Sequence, residues 1–317
     1  MVQIKFIRKL TLFVTLLVVL DFSLGYIFKY MSVHSKGGYV AHHNHIIDKT
    51  HEDVLIFGSS RAIHHYNPEI ISKSLNMTCY NAGQDGNGII LFYGWWKLIS
   101  QRYHPKLIIY DITTGFDLQK NDNHKYLGWL KELYDRNPIP EIFEAVDRTE
   151  RVKMLSRTYR YNSKFQQIAA DYFHPIYKVK GNGFLPLAGV LDTMKIAKNK
   201  SENRIQFDSL KINYLAKFIE NIGDSQIIFV HSPIWYGLDT AWLRPIRELC
   251  AKNNIRFLDY SNDFEFVHNN NLFKDGSHLN AEGADLFTEK LIKDLKKLNF
   301  SIDENLMLVQ TLFAKDP

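Results

Sequence analysis

Val54-Leu55-Ile56-Phe57-Gly58-Ser59-Ser60-Arg61-Ala62 decides how this chain is read. Its first four residues are a short apolar, β-branched run, the pattern of a strand buried on both faces of a parallel sheet. Pro68-Glu69-Ile70-Ile71 follows and reads as a helix start, with proline near its first turn. A Gly-Ser-Ser turn between strand and helix puts a small hydroxyl at the strand's carboxyl end. Ligands bind at that edge in open α/β sheets. Ser60 is therefore a candidate nucleophile, although a serine in such a turn can equally do no more than cap the helix.

The other end of the chain supplies the partners that a serine nucleophile needs. Phe273-Lys274-Asp275-Gly276-Ser277-His278-Leu279-Asn280 precedes an amphipathic stretch from Ala281 to about Leu298. Three residues separate Asp275 from His278. A carboxylate at that spacing can reach imidazole Nδ1 from the same loop, fix the tautomer and leave Nε2 facing a hydroxyl. A weak nucleophile needs an adjacent base, and the base needs an orienting group.

Working inward, strands and helices alternate. Strands are expected at 54–57, 78–81, 107–112, 226–230 and 255–259, and helices at 88–104, 241–253 and 280–298. That rhythm implies an α/β fold with a parallel sheet of about five strands flanked by helices. Residues 118–205 break it. They hold helical stretches at 125–135 and 141–172 and a Gly/Asn-rich loop from Lys180 to Leu187. We expect a helical insertion on the rim that carries the site. Its basic residues, Arg148, Arg151, Lys153, Arg157 and Arg160, suit either an anionic glycan or a solvated helix face.

These blocks resemble the SGNH (GDSL-type) hydrolase and acyltransferase superfamily. Gly58-Ser59-Ser60 resembles its first block, with Ser59 in place of the usual Asp. Tyr80-Asn81-Ala82-Gly83 resembles the second block, and Asp275-Gly276-Ser277-His278-Leu279 the last. The resemblance spans about 53–117 and 225–298 and implies a flavodoxin-like sheet. It implies Ser60, Asp275 and His278 as the catalytic set, with an oxyanion hole from the Ser60 and Gly83 N–H groups. The third block, normally Gly-x-Asn-Asp, reads Tyr110-Asp111-Ile112-Thr113-Thr114-Gly115 here. A hydroxyl of Thr113 or Thr114 would then replace its Asn. Arg61, Asn81 and His231 are candidate substrate-binding residues, and Gln84 a rim residue; Arg61 can equally pair with a carboxylate, Asn81 order its loop and His231 wall the pocket. His64 and His65 would flank the site.

The N-terminus is basic at Lys5, Arg8 and Lys9, then apolar from Leu10 to Phe28. Two readings stand. A cleaved signal peptide would end at Ser23-Leu24-Gly25. A retained anchor would run on through Phe28, with the N-terminus inside and the bulk of the chain outside. The apolar continuation past Gly25 favours the anchor. Residues 31–52, with His42-His43-Asn44-His45, read as a solvated stem, and 299–317 as a tail.

The chain has 317 residues and a net charge of +5. No basic run interleaved with aromatics points to nucleic acid. Cys79 and Cys250 read as buried hydrophobes rather than a disulfide. No metal-ligand spacing, P-loop or dinucleotide fingerprint calls for a cofactor; Gly86-Asn87-Gly88 lacks a phosphate-loop context. The expected function is extracytoplasmic O-acyl transfer or ester hydrolysis on a cell-surface or exported glycan. Expected partners are an acylated glycan or acyl donor, the membrane, and a membrane-bound acyl-donor protein. The alternative is a degenerate glycan-binding or scaffold protein of an acylation complex.

Overall fold

A computed structural model describes residues 2–175, 182–192 and 206–297. In chain order they form α1 (Val2–Val33), α2 (Gly38–Asp48), β1 (Val54–Gly58), α3 (Ser60–His65), α4 (Pro68–Leu75), β2 (Cys79–Asn81), α5 (Ile89–Ile99) and β3 (Leu107–Asp111). Then come α6 (Ile139–Val146), α7 (Glu150–Lys153), α8 (Phe165–Phe173), α9 (Ser209–Glu220), β4 (Gln226–His231), α10 (Arg244–Lys252), β5 (Arg256–Asp259) and α11 (Ala281–Lys297). Among the described residues, 50–121, 182–192 and 206–297 make a sheet unit, and 2–49 with 122–175 make a separate helical unit.

The sheet has five parallel strands in the order β2-β1-β3-β4-β5, the flavodoxin-like order. Strand side chains alternate between its two faces. Val54, Ile56, Leu107, Ile109, Ile228 and Val230 share one apolar cluster with Phe287 and Leu291 of α11. Their neighbours Phe57 and Tyr110 face the other way, where both rings meet Phe92 of α5 and Phe218 of α9 at 5.7–6.0 Å. With both faces covered, the central strands are wholly buried, which explains their uninterrupted apolar runs.

Each expected strand lies within a residue or two of its predicted place. The helix expected at 88–104 is shorter, ending at Ile99. Helix α9 was not expected. Its start is set by Asp208, whose carboxylate accepts the N–H groups of Leu210 and Lys211 at 2.9 and 3.3 Å.

The helical unit differs more from expectation. The stretch 125–135 forms two short 3-10 turns, Asn123–Leu127 and Lys131–Leu133, instead of a helix. The span 141–172 is broken into α6, α7, a 3-10 turn and α8. Asp147 contributes to the first break by accepting the Thr149 N–H at 2.8 Å just past the end of α6.

The expected solvated stem is also corrected. Residues 38–48 are the helix α2, with Val40, Ile46 and Ile47 fully buried and His42 and His43 nearly so. The Val40 N–H donates to Asp171 Oδ2 at 3.0 Å, and a side chain at Gly38 (φ +69°) would collide with that carboxylate. Burial pushes the His43 imidazole down to about 3, so this ring packs in its neutral form. The described residues of 118–205 gather mostly with α1 and α2 rather than with the sheet. The expected C-terminal tail lies outside the described residues, as do Lys180 and Gly181.

Candidate active site

β1 ends on Gly58 with φ +138°, where a Cβ would sit 2.6 Å from the Asp111 carbonyl oxygen of β3. Only glycine lets the chain turn this close to its neighbouring strand. Ser59 follows at the N-cap position, buried, its hydroxyl making no cap bond. Ser60 is the first residue of α3 and is half-buried at the sheet's carboxyl edge.

His278 arrives from a loop closed on itself. Phe273 and Leu279 form an antiparallel bridge, and the Lys274 N–H donates to the His278 carbonyl at 2.8 Å. Inside it, Asp275 Oδ1 accepts the Ser277 and His278 N–H groups at 2.8 and 3.0 Å. The same carboxylate lies 2.9 Å from His278 Nδ1. Partial burial works to raise the Asp275 carboxyl, but the His278 ring and these N–H donors outweigh it and hold it below its ordinary value. An ionised carboxylate only accepts, so Nδ1 carries the proton. Nε2 is then an acceptor, and it faces Ser60 Oγ at 2.8 Å. Ser60, His278 and Asp275 thus form one continuous hydrogen-bond chain.

His65 ties the two halves of this chain together. Its Nε2 accepts the Leu279 N–H at 3.0 Å, which obliges Nδ1 to carry the proton toward Ser232 Oγ at 3.0 Å. Burial pushes this ring well below its ordinary pKa, and the nearby His278 and Arg61 charges act the same way. The neutral form that the hydrogen bonds require is therefore the form that burial favours.

Arg61, Asn81 and His231, the candidate substrate-binding residues, are all buried. Arg61 is buried and pairs with Asp111 at 3.2 Å. It also donates to the Ile112 carbonyl oxygen, and to Thr113 Oγ1 at 3.3 Å. Its Nη1 lies 3.1 Å from His231 Nε2, and a guanidinium can only donate, so that ring accepts. Burial, then the Arg61 charge, pushes His231 well below its ordinary pKa. Asn81 is fully buried and donates to the Ala62 and Tyr66 carbonyl oxygens at 2.7 and 3.0 Å. All three hold the loops behind the site.

Gly83 is corrected too. Its N–H already donates to Asn81 Oδ1 at 3.0 Å, so it is not available to an oxyanion. A Cβ there would fall 2.4 Å from the Ile63 nitrogen, so this glycine serves the packing of its loop on α3. Gln84, expected on the rim, is buried, and its N–H donates to the Gly58 carbonyl oxygen at 3.0 Å. The turn after it places Gly86 at φ +68°, its N–H without an acceptor among the described residues. Asp85 of this turn lies 3.1 Å from His64 Nε2, and the His64 ring stands 5.7 Å from that of His278.

Asp111 and Asp117 were not singled out as site residues by the motifs. Asp111, fully buried, accepts the Tyr66 hydroxyl at 2.6 Å and the Ser232 N–H at 3.2 Å, as well as pairing with Arg61. Asp117 accepts the Thr113 and Ile89 N–H groups, each at 2.7 Å, and the Tyr110 hydroxyl at 2.8 Å. It thereby fixes the turn that carries Thr113 and Thr114. A carboxylate ending an apolar strand was the one visible signal for Asp111, because a buried charge requires partners.

No family model matches the chain, and no curated protein matches it. A solved structure of a Streptococcus pneumonia protein, described as a candidate platelet activating factor, is similar to it with a TM-score of 0.38 and 11% identity. That likeness covers 91% of this chain and 99% of the other. The chemistry of the site is read from its own geometry.

Proposed function

We propose that the chain is a serine esterase or O-acyltransferase of the SGNH type, held to a membrane by α1 and acting on acylated glycan outside the cytoplasm. The observation that carries this reading is the hydrogen-bond chain Ser60–His278–Asp275 at the sheet's carboxyl edge. Such a chain also favours the enzyme over a degenerate scaffold.

Ser60 Oγ attacks the acyl carbonyl carbon while its proton passes to His278 Nε2, and the Asp275 carboxylate balances the imidazolium. The carbonyl oxygen becomes an oxyanion. Its donors, with Gly83 engaged elsewhere, are assigned to the N–H group of Ser60 and the hydroxyl of Thr113 or Thr114. For Ser60, support comes from its place at the start of α3, where an N–H has no intrahelical acceptor. Thr113 Oγ1 accepts from Arg61, which leaves its own proton to donate. Collapse of the intermediate breaks the ester C–O bond, and His278 returns the proton to the leaving alcohol. A water or sugar hydroxyl then gives its proton to His278 and attacks the acyl-Ser60 carbon; the acyl C–Oγ bond breaks and His278 returns the proton to Ser60 Oγ, restoring the serine and releasing the acid or the new ester. The glycan substrate and the acyl-donor partner protein are carried by the family resemblance.

The test is labelling by a fluorophosphonate probe. Wild type and Ser59→Ala should label, since the Ser59 hydroxyl is buried and makes no cap bond. Ser60→Ala should not. Persistent labelling of Ser60→Ala would remove Ser60 as the nucleophile.

A further inference from the structure

Helix α1 is apolar for longer than it is free. Every residue from 3 to 20 is exposed, which at 1.5 Å per residue is about 27 Å of helix. That length nearly matches a hydrocarbon core of about 30 Å. From Asp21 the helix is engaged by its own unit. The Asp21 carboxylate accepts the N–H groups of Arg157 and Thr158 at 2.7 and 3.0 Å and the hydroxyls of Ser156 and Thr158. A carboxylate among lipid tails is expensive, so the 156–158 turn marks the depth at which tails give way. Further contacts climb away from it. A side chain at Gly25 would collide with Arg157, Phe28 meets the rings of Tyr161 and Phe165 at 5.9 and 6.3 Å, and the Ser32 hydroxyl donates to Glu132 at 2.6 Å.

Just before this lowest turn, two large apolar side chains stand in the open. Val152 is 69% and Leu155 75% exposed, and Arg148, Arg151 and Lys153 beside them are exposed too, Lys153 pairing with Glu150 at 2.7 Å and Arg151 lying 3.8 Å from Glu144. Apolar tips ringed by cations, at the depth where a span leaves the lipid, match the chemistry of an anionic membrane interface. We propose that residues 148–155 are a second membrane contact. Val152 and Leu155 seat at the boundary between headgroups and acyl chains, and the three cations meet headgroup phosphates. Two points of attachment then hold the helical unit at a fixed tilt, where a lone helix would let it swivel. The proposal rests on reading α1 as a retained span.

The test uses the full chain in phosphatidylglycerol-containing vesicles. An environment-sensitive fluorophore is placed on one introduced cysteine at a time, at Leu155→Cys, Leu16→Cys or Lys36→Cys; the native Cys79 and Cys250 are buried. Lys36 lies beyond the end of α1, which is itself about 18 Å past Asp21 along the axis. The Leu155 label should lose most of its emission to lipids spin-labelled near the headgroup, the Leu16 label to lipids labelled deep in the chain, and the Lys36 label neither. Arg151→Glu with Lys153→Glu should release the Leu155 label in anionic vesicles. Quenching at Leu16 with none at Leu155 overturns the second contact and leaves the span standing. No quenching at Leu16 overturns the span itself. Unchanged quenching of the Leu155 label in the charge-reversed chain overturns the assignment to anionic lipid.

Discussion

Asp275 does two things with one carboxylate. It closes its own loop by accepting two backbone N–H groups, and it sets the tautomer of His278. Asp275→Asn separates these roles. An amide oxygen can still accept the backbone donors, so the loop should keep its shape. The amide NH₂ would face Nδ1 and move the ring proton to Nε2, where it can no longer take the Ser60 proton. The expected loss is about 10⁴ in turnover, the scale known for the serine-protease triad, with unchanged circular dichroism. Near-normal turnover would mean that a different group orients the ring. Arg61 teaches a related lesson. Beside the candidate nucleophile it suited an anionic substrate or a carboxylate partner, and it lies inward on Asp111, where it ties the 111–113 and 231–232 strand ends together.

Between elements, the contact that matters most is α3 against the 273–280 loop, joined through His65. His65→Ala would leave the buried Leu279 N–H unpaired, at a cost of about 1–3 kcal/mol. It should lower turnover by loosening His278, with KM little changed. His65→Gln can again offer an acceptor and should restore much of the rate; no rescue would make the role one of packing alone. Acid sensitivity follows from the same ring. A histidine whose pKa is lowered in the folded state contributes stability that is present above its unfolded value of about 6.5 and lost as pH falls below it. His231 and His43 act in the same direction. Thermal stability should therefore fall as pH drops from 7 toward 5, and less steeply in His65→Gln. The strands and the Asp-x-x-His loop were legible because apolar runs and short-range spacing determine them. Gly83 was misread because a motif position cannot say where an N–H points. The stem was misread because histidines look polar until burial holds them neutral. The breaks within 125–172 depend on turns that weak helical patterning does not reveal.

For the molecule as a whole, α1 is long and apolar enough to cross a membrane and is also part of the folded helical unit. Cleavage after Gly25 would remove Asp21, the carboxylate that organises the 156–158 turn. The intact mass of the native protein should therefore include residues 1–25, and extraction should need detergent. A mature N-terminus at Tyr26 would refute this.

Ser60 and His278 stand 218 residues apart in the chain, yet their side chains meet. In the proposed mechanism the nucleophile is therefore made early and its base nearly last. A ribosome or translocon releasing this chain from the N-terminus would deliver β1, α3 and every strand of the sheet before the 273–280 loop. Until that loop docks on His65, Ser60 is an ordinary alcohol of negligible nucleophilicity. On the proposed mechanism, synthesis order alone would keep the unfinished chain inert toward esters, and activity would begin only when the last helix closes over the sheet.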